Sequence, residues 1–92
     1  MTNATSLRGL IMKLYRLRTL AGFVYFSHPN GSRGAQGQTE WKVERDYTVP
    51  FTRYTVCRLE RNYVNGVLNR ADWYVQYDAL TIKDARNFIA AN

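Results

Sequence analysis

The sequence holds one imidazole, His28, and one thiol, Cys57. Brought within hydrogen-bond reach, such a pair could make a nucleophile, because the imidazole takes the thiol proton. Their settings argue against it. His28 stands beside Pro29 in a glycine-rich stretch, and Cys57 lies in the strand-like run "FTRYTVCRLERNYV". A solvated loop histidine and a half-buried strand cysteine are the better readings. With a single thiol and a single imidazole there is no CxxC, HExxH or mixed cluster with metal-ligand spacing. Glu44 and Asp46 share one strand face, which reads as a solvated edge rather than a general acid and base. The stretch "GSRGAQG" is rich in glycine but lacks the Lys-Ser/Thr of a phosphate-binding loop. The expectation is a protein that is not an enzyme and needs no cofactor or metal.

The cations carry more signal. The 92 residues bear a formal net charge of +6 and an isoelectric point near 9.8. Ten of the thirteen cations are arginine, the residue that grips phosphate or carboxylate in a two-pronged fashion. The first carboxylate in the chain is Glu40, so the basic excess belongs to the front two-thirds. Such a balance points to an acidic partner without specifying a fold. Arg8, Lys13 and Arg16 share the outer side of an expected front helix, Arg33 rides the glycine-rich loop, and Arg58 and Arg61 decorate a strand. These six are the candidate protein- or RNA-binding residues. Tyr47, Tyr54, Tyr63, Trp73 and Tyr74 lie near enough in sequence for bases to stack beside a phosphate contact. Taken singly, each cation is read more simply as a solubilising surface charge. That reading explains poorly the long front stretch without a carboxylate.

The elements that would position these side chains follow from periodicity. On a helical wheel, Leu7, Leu10, Ile11, Leu14, Leu17 and Ala21 fall on one face of Ser6–Gly22, with the cations opposite. Ser6 or Thr5 can cap its start, and Gly22 can end it in a left-handed turn. "FVYFS" reads as a short strand, and residues of about 28–39 as a flexible glycine-rich loop. "EWKVERDYTV" alternates as a strand with Trp41, Val43, Tyr47 and Val49 on one side. Phe51–Val64 is strand-like, Asn65-Gly66 is a hairpin turn, and "ADWYVQYD" alternates again. "TIKDARNFIAAN" reads as a helix whose start, Thr81 with Asp84, resembles a capping box, with Ile82, Ala85, Phe88 and Ile89 as its apolar stripe. The expected fold is therefore a single α+β domain over residues 1–92. It consists of an antiparallel sheet of three or four strands with an N-terminal and a C-terminal helix packed on it. No run is apolar enough to span a bilayer. A membrane-surface role for the front helix competes with its need to fill the core.

In overall make-up the chain resembles very small phage-encoded anti-CRISPR proteins: one α+β domain under one hundred residues, with no catalytic set. A tight hairpin around "NYVNGV" precedes a short helix, "LTIKDARNFIAA". The resemblance is to inhibitors of the type I-F surveillance complex, a ribonucleoprotein that carries guide RNA. It implies a stoichiometric blocker in the cytoplasm of an infected bacterial cell, which stops target DNA from binding or hybridising; a monomer is favoured, with a homodimer open. A positively charged inhibitor would meet guide RNA or acidic subunit surface. The six candidate cations are assigned to that contact by charge. The alternative is a small basic nucleic-acid-binding or regulatory protein of phage or bacterial origin, which uses the same arginines without a protein partner.

Overall fold

The computed structural model describes residues 14–27, 31–35 and 37–92. Five strands follow one another: β1 (Leu14–Arg18), β2 (Gly22–Ser27), β3 (Thr39–Arg45), β4 (Tyr54–Val64) and β5 (Val67–Ala79). One helix, α1 (Ile82–Ala91), closes the chain order. The sheet is an antiparallel meander in which strand order equals chain order. The expected α+β arrangement, a sheet of three or four strands flanked by two helices, is thus corrected to five strands and one C-terminal helix among the described residues. Residues 6–13 of the anticipated front helix lie outside the described residues, but Leu14–Arg18, in its second half, is a strand.

The reason lies in β1's neighbours. "LYRLR" fits a two-residue period as well as a helical one, and the strand pairs along its whole length with β2. Tyr15 stands opposite Phe26 and stacks on it with ring centroids 5.5 Å apart. Gly22 does not end a helix. It starts β2, and a Cβ there would lie 1.9 Å from the Val43 carbonyl oxygen, so only glycine permits this approach of β2 to β3. Thr19 tightens the turn, its N–H donating to the Gly22 carbonyl at 2.8 Å and its Oγ1 accepting from Gly22 N–H at 3.0 Å. Leu14 and Leu17, expected on one buried stripe, point to opposite faces of the sheet and are both exposed.

β3 stops at Arg45, short of the expected Val49. The Asp46 N–H then donates to the Arg53 carbonyl, and Tyr47 is exposed in the connection. The Asn65-Gly66 hairpin forms as expected, with φ of 53° and 79° at its two residues. β5 departs from simple alternation. Val56 pairs with Tyr77 but Cys57 with Val75, so Gln76 is an extra, bulged residue. The bulge turns Tyr77 to the face opposite Trp73 and Val75.

That face is the one α1 covers. Tyr25, Trp41, Val43, Val56 and Ala79 from the sheet meet Ala85 and Ile89 from the helix, and Tyr77 and Phe88 pack against them. Phe88 stacks on Tyr77 at 4.5 Å and meets Trp41 edge-on at 6.0 Å. Burial of a side chain such as Ile89 contributes about 2 kcal/mol. Thr81 caps α1 by accepting from the Asp84 N–H at 3.0 Å. The Asp84 carboxylate does not complete a capping box. It accepts from the Tyr77 hydroxyl at 2.9 and 3.0 Å, and so ties the helix start to the bulged strand.

Candidate functional site

The structure separates the cations into two groups. Arg33, Lys42, Arg53, Arg58, Arg61 and Arg70 each pair with a carboxylate. Arg16, Arg18, Arg45, Lys83 and Arg86 have no carboxylate within ion-pair distance among the described residues. Strand register puts Arg16, Arg18 and Arg45 on the sheet face that α1 covers, and Lys83 and Arg86 are exposed on α1 itself. Glu40, Glu44 and Asp78 lie on the opposite face. Glu60 and Asp72 share the helix-side face by register, further along β4 and β5, but each is taken up by an arginine, Arg58 and Arg70. Net positive charge is thereby concentrated on the helix side.

Of the six candidate residues, Arg8 and Lys13 lie outside the described residues. Arg33 and Arg61 are drawn together on the opposite face by one carboxylate. Glu40, only 3% exposed, accepts from Arg61 Nη2 at 2.7 Å through Oε1. Through Oε2 it accepts from Arg33 Nε at 3.1 Å and Nη2 at 2.9 Å. Arg61 is itself 9% exposed at its side chain. This triad fastens the loop before β3 to β4. Gln38 assists, donating to the Ser32 carbonyl at 2.9 Å and accepting from the Gly34 N–H. Arg58 donates to Glu60 at 2.8 Å and lies over the Trp41 ring at 5.8 Å. Arg33, Arg58 and Arg61 thus have internal partners, whereas Arg16 has no carboxylate and rests over the Phe23 ring at 5.0 Å.

Arg16 borders a groove of about 660 Å³ between β1 and α1. Leu14 and Arg16 form one wall. Lys83, Arg86, Asn87 and Ala90 form the other, and Tyr25 of β2 lies between them. The helical wall is a single stripe, because positions i, i+3, i+4 and i+7 share a face. Three cations and no carboxylate line it among the described residues. Tyr25 is 4% exposed, and its hydroxyl has no hydrogen-bond partner among the described residues. Sequence reading missed Lys83, Arg86 and Tyr25. The spacing of Lys83 and Arg86, three apart on the flank of an amphipathic helix, was the available signal.

Cys57 is the one thiol in the sequence and is buried in β4. Burial pushes its thiol pKa up, against the direction a nucleophile needs. No group of three metal-ligating side chains gathers among the described residues, and no helix among them is long and apolar enough to cross a membrane. No family model, curated protein or solved structure matches the chain.

Proposed function

We propose that this protein is a non-catalytic binding protein that engages an anionic partner through its helix side. The observation that carries the reading is the one-sided distribution of cations. All five described cations without carboxylate partners lie on or beside the face covered by α1, while Glu40, Glu44 and Asp78 face away. A one-sided excess of positive charge steers association and sets its orientation more than it adds affinity.

The resemblance to small anti-CRISPR proteins names the partner: a guide-RNA-loaded type I-F surveillance complex in the cytoplasm of an infected bacterial cell. Its RNA phosphates supply the counter-charge, and occupancy blocks target DNA from binding or hybridising. The test is co-elution of the chain with that complex, and separately with bare RNA and duplex DNA, at physiological and several-fold higher salt. The reading is supported if the chain co-elutes with the complex alone and excludes target DNA, and if the Lys83→Glu/Arg86→Glu variant does neither. Salt-sensitive binding to bare nucleic acid without preference for the complex replaces it with a plain nucleic-acid-binding role.

A further inference from the structure

We propose that the groove between α1 and β1 is a discrete phosphate site, in which Arg16, Lys83 and Arg86 surround the anion and the Tyr25 hydroxyl donates to one of its oxygens. The inference rests on the reading of the helix side as an anion-binding surface, and narrows it to one pocket and one chemical class.

Two independent observations converge on it. The first is charge: three cations from two elements border one groove, and no carboxylate there neutralises them. Mutual repulsion among them is a standing cost that a bound anion removes. The second is the orphaned Tyr25 hydroxyl. A covered phenol normally finds an acceptor, and leaving it without one costs stability. Its neighbours explain the omission. The residues opposite it in register are Arg16 and Trp41, both without an acceptor atom in their side chains. Of the groove's other side chains, Lys83 and Arg86 only donate, while Leu14 and Ala90 are apolar. Apart from the Asn87 amide and the Tyr25 hydroxyl oxygen itself, the side chains of the groove supply donors and no acceptors, the complement of a phosphate group.

Size adds to this. A groove of about 660 Å³ exceeds what a bare phosphate needs and falls in the range of small-molecule sites. Leu14 and Ala90 offer apolar contact and Asn87 an amide edge, so a nucleotide unit fits better than inorganic phosphate alone. The ligand class is a phosphate-bearing nucleotide, either free or within a single strand.

The test uses the whole chain, with amide-resolved NMR titration and fluorescence anisotropy. The probes are inorganic phosphate, adenosine 5′-monophosphate, and a single-stranded RNA hexamer with and without a 5′-phosphate. Phosphate and the nucleotide should shift resonances of Arg16, Tyr25, Lys83 and Arg86. Lys83→Gln/Arg86→Gln should weaken hexamer binding roughly tenfold or more. Tyr25→Phe should weaken it by about tenfold, the worth of a hydrogen bond to a charged group. The ligand-free Tyr25→Phe protein should melt no lower than the parent, since only an unsatisfied hydroxyl is removed. A purely structural tyrosine gives the reverse pattern, lower melting and unchanged binding, and overturns the proposal. A 5′-phosphate that strengthens binding marks a terminal phosphate as the ligand, and equal binding marks an internal phosphodiester. If the hexamer binds but the shifts gather at Arg18 and Arg45, the groove proposal falls while the anion-binding surface stands. If no phosphate probe binds, the groove proposal also falls, and co-elution with the complex decides the wider reading alone.

Discussion

Asp46 shows how much one side chain can organise. Its Oδ1 accepts from the Thr48 N–H and hydroxyl, and its Oδ2 accepts from Arg53 Nε and Nη2, so one carboxylate closes the connection between β3 and β4. The Thr48 hydroxyl and then the Arg53 guanidinium hold its pKa at about 2, below the ordinary 3.8. A carboxyl depressed in the folded state stabilises it above the unfolded value and loses that contribution as acid protonates it. The connection should therefore loosen between about pH 4 and pH 2. A carboxyl-detected NMR titration should place Asp46 near 2, and a midpoint at 3.8 or above rejects this hydrogen-bonding pattern. Glu40 is the more costly residue to lose. Glu40→Ala leaves Arg61 buried without its counter-ion and should cost about 3 kcal/mol in urea unfolding. Arg33→Ala at the exposed end of the same triad should cost no more than about 1 kcal/mol. Neither role is legible in the sequence. Glu40 meets one partner seven positions back and another twenty-one ahead, separations that only the assembled sheet brings together.

Among the elements, those whose signals are local are the easiest to read. The Asn65-Gly66 turn, the Thr81 cap and the Ile82–Ile89 stripe depend on neighbouring residues alone, and each forms where expected. Thr81→Ala should accordingly lower stability by about 1 kcal/mol. β1 reads as helix because its leucines satisfy a helical wheel, while the partner that makes it a strand lies across a turn. The sign is present in Gly22, which serves close strand approach rather than helix termination. Gly22→Ala places a methyl against the Val43 backbone and should cost at least about 2 kcal/mol, with amide protection failing first in β2. A normal urea midpoint in that variant would contradict the approach of β2 to β3. The Gln76 bulge is equally hidden, since "ADWYVQYD" alternates cleanly as written. Pairing with β4 is what sets Tyr77 on the helix side, where Asp84 and Phe88 receive it.

At the scale of the whole molecule, net charge is legible and its geography is not. Thirteen cations and seven acids can be counted, but which of them cancel depends on register. The pairing removes Arg33, Arg58 and Arg61 from the free positive surface and leaves Arg16 together with Lys83 and Arg86. A single strand held by these three cations should lose affinity with a log–log salt slope of about −2. A slope near zero would assign the interaction to shape and apolar surface instead.

The meander has a consequence for how the chain is made. Every strand pairs with its sequence neighbour, so during synthesis the sheet can zip hairpin by hairpin as it leaves the ribosome. Its aromatic side cannot be sealed on that schedule. Tyr25 and Trp41 emerge early, yet the helix that covers them is the last element in chain order. Until α1 docks, the sheet presents an uncovered apolar face, the kind of surface that draws non-specific association.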